Sequence, residues 1–296
     1  MVTGRMQRFR DNEAIVAAFF LAPLILFLAA LVLQPVLGTI ADSFTRDVAF
    51  LKRGFLGLAN YEALLRDPGF WNAVRFTMLF TIVSVPLEVA IGLLMALVLN
   101  EPLPLRGLCR ACVLVPWSIP AAVSGRVFQL IYDYSNGAAN WLLRVLGLST
   151  GPVNWLGTDT GAFLAVVAAD VWKTAPFAAI LLLAGLSSIP EVLYQQATVD
   201  RASMWQRFVH ITLPQLKPVL LVTLLFRTIQ AVAVFDVVFV LTGGGPGAAT
   251  QSLSVLAFGY FGSGDFGYGS AVSVLLFALA LLLALLYTRT ARRGEA

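Results

Sequence analysis

Charge is what this chain has least of. Only 12% of its 296 residues are Asp, Glu, Lys or Arg, and the mean hydropathy is +0.84. A soluble domain carries about twice that share of charge, so a water-facing surface around the whole molecule is excluded. Histidine occurs once, at His210, and cysteine twice, at Cys109 and Cys112. A lone C-x-x-C with one remote histidine cannot close a tetrahedral zinc site, and no metal site is expected. The two cysteines read as packing residues. The three lysines, Lys52, Lys173 and Lys217, follow Leu or Trp and never glycine. That rules out a G-K-[ST] phosphate loop, so the chain has no P-loop of its own. One histidine also rules out H-E-x-x-H. The single G-x-S-x-G, Gly147 to Gly151, follows a helix rather than a strand, is placed on the side of the membrane away from His210, and reads as a turn. No catalytic residue is expected.

What the chain has in quantity is apolar sequence, in runs near 14–34, 74–99, 111–131, 161–186, 218–241 and 268–288. Each is close to the roughly 20 residues that cross a hydrocarbon layer of about 30 Å. The expected fold class is an all-α membrane protein with six transmembrane helices: a membrane domain over 14–288, with short cytosolic ends at 1–13 and 289–296. The first run exceeds the length of a signal-peptide core and is kept as an anchor. With the N-terminus inside, eleven cations fall on the cytosolic side (Arg5, Arg8, Arg10, Arg106, Arg110, Arg201, Arg207, Lys217, Arg289, Arg292, Arg293) against six outside (Arg46, Lys52, Arg53, Arg66, Arg75, Arg144). The positive-inside bias therefore places both ends and the segment 187–217 in the cytosol. It also accounts for the net charge of +4 without a nucleic-acid partner.

Six ionisable residues fall inside the runs: Glu88, Arg126, Asp170, Lys173, Arg227 and Asp236. Such groups avoid lipid, so they pair between helices or line a watery pathway. Asp170 and Lys173, at i,i+3, are expected to pair on one face. Arg227 shares a face with Gln230, whereas a continuous fifth helix would turn Asp236 to the opposite face. Arg126 is expected to snorkel to the outer interface. Pro86 and Pro176 mark expected bends.

The outer loop 35–73 contains "NYEALLRDPGFWNAV", helical in spacing with a break at Pro68, and reads as an amphipathic stretch on the membrane or a partner. Tyr61, Phe70 and Trp71 suit an interfacial belt. The last outer loop, "LTGGGPGAATQSL", concentrates Gly243, Gly244, Gly245 and Pro246 in a tight turn.

The polar interruption is "EVLYQQATVDRASMWQRFVHITLP", residues 191–214. Ser188 and Glu191 have the spacing of a capping box, with Pro190 in the first turn. Leu193 and Ala197 share one face; Met204, Trp205, Phe208 and Ile211 form a second stripe. Leu213-Pro214 should end this piece, and Pro218 should open the next span. Headgroup binding would need neither the length nor two separate pieces, whereas a partner socket would.

This segment resembles the EAA loop of binding-protein-dependent ABC importer permeases, P-x-E-L-Y-E-A-A-x-I-D-G-A followed by W-x-R-F-x-x-I-x-L-P. Pro190, Leu193, Tyr194, Ala197, Val199, Asp200, Ala202, Trp205, Arg207, Phe208, Ile211, Leu213 and Pro214 fit it. Gln195 stands in place of the usual glutamate and Arg201 in place of the usual glycine. "FLGLANYEALLRDPGFWNAVRFT", "NGAANWLLRVLGL" and "LTGGGPGAAT" are similar to further family segments, the last to the sugar-importing branch.

The resemblance implies a type I ABC importer permease fold in the bacterial cytoplasmic (inner) membrane. It implies a second permease subunit, two ATPase subunits that hold ATP and Mg, and an extracytoplasmic solute-binding protein. The contact with the ATPase would fall to Glu191, Leu193, Tyr194, Gln195, Gln196, Ala197, Asp200, Arg201, Ala202, Trp205 and Phe208. Gly243, Gly244, Gly245 and Pro246 would serve as outer gate or binding-protein contact. Glu88, Asp170, Lys173, Arg227, Gln230 and Asp236 would line the pathway. The competing readings are a self-contained secondary transporter, with the same charges as an ion relay, and an ABC permease for an amino acid or peptide.

Overall fold

The computed structural model describes residues 13–102 and 104–293. Arg5, Arg8 and Arg10 and most of the two expected end segments lie outside the described residues. Five helices are long and apolar enough to cross a membrane, and a sharply bent helix pair makes a sixth span. Span 1 comprises α1 (Glu13–Leu28), a π turn (Ala29–Leu33) and α2 (Gln34–Asp42). It therefore continues through 35–42, expected as loop: the π turn just before Pro35 lets the helix pass a residue that has no N–H to donate.

A two-stranded hairpin follows, β1 (Thr45–Arg46) and β2 (Gly54–Phe55), then α3 (Ala59–Arg66). Span 2 is α4 (Pro68–Asn100), span 3 is α5 (Arg106–Ser118) plus α6 (Ala121–Ile131), and α7 (Ala138–Val145) precedes span 4, α8 (Asp159–Ser187). The polar interruption forms α9 (Glu191–Val199), α10 (Met204–Arg207) and a π turn (Phe208–Thr212) that runs into span 5, α11 (Leu213–Val232). The chain ends with α12 (Asp236–Leu241), α13 (Leu253–Gly262) and span 6, α14 (Phe266–Arg293).

Span 4 is the centre of the bundle. Small residues let its backbone approach span 2: a Cβ on Gly92 would lie 2.8 Å from the Ala178 Cβ and 3.0 Å from the Ala175 carbonyl oxygen. Between helices in lipid, close approach of this kind supplies the packing energy that hydrophobicity cannot. A second cluster, with Leu64, Phe70, Ala73, Leu253, Leu256 and Val272, seats α3 against spans 2 and 6. So α3 does not lie free on the membrane, and Tyr61 is no belt residue. Its hydroxyl meets Ser43 Oγ at 2.6 Å, while Asn60 donates to the carbonyls of Ser43 and Thr45, both at 2.9 Å. The Asn-Tyr pair thereby fixes the chain reversal after span 1. Cys109 packs at the edge of the main core, but Cys112 is exposed and does not pack.

Two expected helices are broken. Span 3 bends by 87° at Ile119-Pro120, because Pro120 brings no N–H and forces Ile119 into an extended conformation. Span 5 stops at Val232, and Asp236 begins a separate helix. The expected opposite-face geometry of Arg227 and Asp236 therefore does not apply.

Candidate functional site

The α9–α10 pair stands at the end of the bundle where spans 4 and 5 meet. Its expected capping box at Ser188 does not form. Ser188 still belongs to the end of α8, and its hydroxyl donates to the Gly185 carbonyl at 2.7 Å. The capping box lies at the second helix instead: Ser203 Oγ accepts from the Gln206 N–H at 3.2 Å, and Gln206 Oε1 accepts from the Ser203 N–H at 2.8 Å. Between the helices, Arg201 takes φ of +56°. The Arg201 N–H bonds to Thr198 O at 3.1 Å and the Ala202 N–H to Ala197 O at 2.9 Å, the two bonds of a Schellman motif. The family glycine at this position is thus a conformational requirement, and arginine meets it under strain.

Tyr194 joins the two pieces through its hydroxyl, 2.9 Å from Thr212 Oγ1. Leu193, Ala197, Ala202 and Phe208 are half-buried along this seam, while Glu191, Gln195, Gln196, Asp200, Arg201 and Trp205 are exposed. The expected second stripe is divided: Phe208 and Ile211 turn inward, and Met204 and Trp205 are 81% and 71% exposed. Val192 and Val199 are exposed as well. Four large apolar side chains in the open on one short pair are a surface that asks to be covered.

The pair does not end at Leu213-Pro214. Helix continues from Met204 to Val232, and the π turn over 208–212 absorbs the prolines by widening the helix where an α-type bond to Pro214 is impossible. At the other junction, a Cβ on Gly185 would lie 2.8 Å from Leu216 Cδ1. The second helix of the pair is therefore one body with span 5, packed directly on the end of span 4.

Deeper in the bundle the charged residues sort differently from expectation. Asp170 and Lys173 form no ion pair with each other among the described residues. Arg227, 3% exposed, meets Glu88 Oε2 at 2.5 Å and Asp170 Oδ2 at 3.6 Å, and also donates to Gln230 Oε1. One arginine thus ties spans 2, 4 and 5. Glu88 Oε1 and Asp170 Oδ2 have no hydrogen-bond donor, and Arg227 is the one cation in ion-pair contact with either carboxyl among the described residues.

Lys173 donates to the carbonyls of Trp117, at 3.2 Å, and Ile119, at the break of span 3. A cation there satisfies oxygens that the interrupted helix leaves unpaired. Asp170 and, more weakly, Asp236 in the first turn of α12 act on Lys173 electrostatically. The two breaks are neighbours: α6 packs on α12, and a Cβ on Gly125 would lie 3.1 Å from Val240 Cβ. Lys173, half-buried, stands against Trp117, whose ring stacks on Phe177 at 5.7 Å, while Gln230 and Asp236 are exposed. The stack of Trp117 on Phe177 was not legible in the sequence, because aromatics in apolar runs are ordinary. Arg126 is exposed and donates to Gln129 Oε1.

At the opposite end, the glycine loop is held rather than loose. Thr250 Oγ1 lies 2.7 Å from Thr242 Oγ1 and donates to Gly245 O at 2.6 Å, and Asn72 Nδ2 donates to Ala248 O at 2.6 Å. Gly243 and Gly244 take φ of +61° and +88°, which no β-branched or bulky residue tolerates well. The Gly245-Pro246 bond is cis.

The sequence matches the family described as binding-protein-dependent transport system inner membrane component over residues 88–294. It is 49% identical to a trehalose/maltose transport system permease protein, MalF, of Thermococcus litoralis, over 96% of each chain. It is 37% identical to a sulfoquinovosyl glycerol transport system permease protein, SmoG, of Agrobacterium fabrum, over 98% of this chain and 95% of the relative. The fold matches a chain of a bacterial ABC transporter involved in import of the acidic polysaccharide alginate, with a TM-score of 0.83, 23% identity, and 98% and 99% of the two chains covered.

Proposed function

The chain belongs to the binding-protein-dependent transport system inner membrane components, and from that premise we propose that it is a permease subunit of an ATP-driven importer moving a carbohydrate across the cytoplasmic membrane. Sugar as cargo is supported by its relatives, which serve trehalose/maltose and sulfoquinovosyl glycerol. The stacked Trp117 and Phe177 beside Lys173 suit a sugar, which offers an apolar ring face and hydroxyls to be bonded.

The observation that carries the mechanism is the helix from Met204 to Val232: a surface-exposed docking end and a spanning helix in one rigid piece. Two ATPase subunits, holding ATP and Mg, grip α9–α10 on this chain and on a second permease. When they close, the push on Met204, Trp205, Val199 and Asp200 moves span 5. The Arg227 cluster carries spans 2 and 4 with it, and the chamber at the broken helices opens toward the solute-binding protein. In this arrangement both termini are cytosolic and the glycine loop faces the binding protein. The relatives are transport permeases rather than enzymes, and hydrolysis belongs to the partner.

The test is co-purification with the ATPase subunits followed by substrate-stimulated ATP hydrolysis. Asp200→Lys, or deletion of 195–201, abolishes stimulation while membrane insertion persists; undiminished stimulation would count against the docking role. A secondary transporter is disfavoured by the exposed Val192, Val199, Met204 and Trp205, which such a protein has no use for.

A further inference from the structure

The hairpin after span 1 has two oddities at one residue. Phe50 takes φ of +67°, where a bulky side chain is a true outlier, and its ring is fully exposed. Leu51, 60% exposed, and Phe55, 81% exposed, continue the patch. Water alone gives no reason to hold such a tip in a strained shape.

The hairpin is also rigid and its height is fixed. Arg53 pairs with Asp42 and Asp47, and Arg46 donates to Lys52 O at 3.4 Å across the two strands. The Ala49 N–H bonds to Gly264 O at 2.7 Å and the Phe266 N–H to Asp47 O at 2.8 Å. These bonds pin the tip beside the first residues of span 6 and just past the last of span 1, at the end of the bundle opposite the α9–α10 pair. The ends of spanning helices are where lipid headgroups lie. Beside Phe50 and Leu51 stands Lys52, exposed and without an ion pair among the described residues. Two large apolar groups at the tip with one cation, held at the ends of two spans, match the upper acyl chains and the phosphate layer of a bilayer.

We propose that the hairpin tip is a membrane-interface anchor, with Phe50 and Leu51 seated among the outermost acyl carbons and Lys52 at lipid phosphate. It would hold the end of span 1, where Thr39, Ile40 and Asp42 are only half-buried, at a fixed depth and angle.

The test is spin labelling of Phe50→Cys and Leu51→Cys, one at a time, in a chain carrying Cys109→Ser and Cys112→Ser, assembled with its partners in phospholipid vesicles. Collision with oxygen, which concentrates in lipid, is compared with collision with a water-soluble nickel chelate. Oxygen is expected to exceed the chelate at both tip positions, with the reverse at Ser135→Cys in an exposed loop. Chelate exceeding oxygen at the tip overturns the proposal, as does protection from both agents, which would mean that a protein covers it. Because the labelled positions are exposed, folding is not at stake, and the outcome does not depend on which solute is carried.

Discussion

Arg201 sits at a left-handed position that the Schellman motif imposes on whatever residue follows Asp200. Arg201→Gly should therefore stabilise the α9–α10 turn by about 1 kcal/mol, read as a raised melting temperature of the purified complex. An unchanged or lower value would show that the arginine makes a compensating contact with a partner. Arg227 is the opposite case. Arg227→Met leaves Glu88 and Asp170 buried without their cation and should cost about 3–5 kcal/mol, seen as loss of monodisperse complex on heating. Adding Glu88→Leu and Asp170→Leu to the same chain should recover much of that loss, since an apolar cluster leaves no charge stranded. Asn140 is a third residue of structural weight. Its side chain donates to the carbonyls of Tyr134 and Val153 and accepts from the Val153 N–H and Trp155 Nε1, all at 2.9–3.0 Å. It explains why an asparagine follows Gly137 at that spacing: it braces the loop between spans 3 and 4.

Among the elements, the joint between the pair and span 5 matters most. Inserting two glycines after Thr212 interrupts the helix between docking end and span, and should leave ATPase binding intact while transport is lost and hydrolysis no longer responds to solute. Retained transport would show that rigidity of this joint is not needed. Gly92→Leu should disrupt assembly by forcing spans 2 and 4 apart, with a loss of about 1–3 kcal/mol or more.

The spans themselves were legible from hydropathy, because crossing lipid constrains length and composition so strongly. Their breaks were not. Pro86, Pro116, Pro176 and Pro218 all lie inside helices, whereas Pro120 ends one. What separates them is the third-dimensional partner, Lys173, which satisfies the freed carbonyls at Pro120. The capping box expected at Ser188 forms at Ser203 instead, since a serine hydroxyl can close the helix before it as readily as cap the one after it. The pairing of Asp170 with Arg227 rather than Lys173 likewise depends on which helices meet.

For the molecule as a whole, exposed apolar side chains at one end, a helix continuous from them into span 5, a charged clamp joining three spans and two neighbouring helix breaks lie along one connected path. The proposed function assigns that path to an external ATPase. The measurement that tests this most directly is uptake of a labelled sugar that its solute-binding protein holds, into proteoliposomes containing this chain, its second permease and the binding protein, with and without the ATPase subunits and enclosed ATP. Uptake is expected only when ATPase and ATP are both present. Uptake at full rate without the ATPase, driven by an ion gradient, would contradict the account.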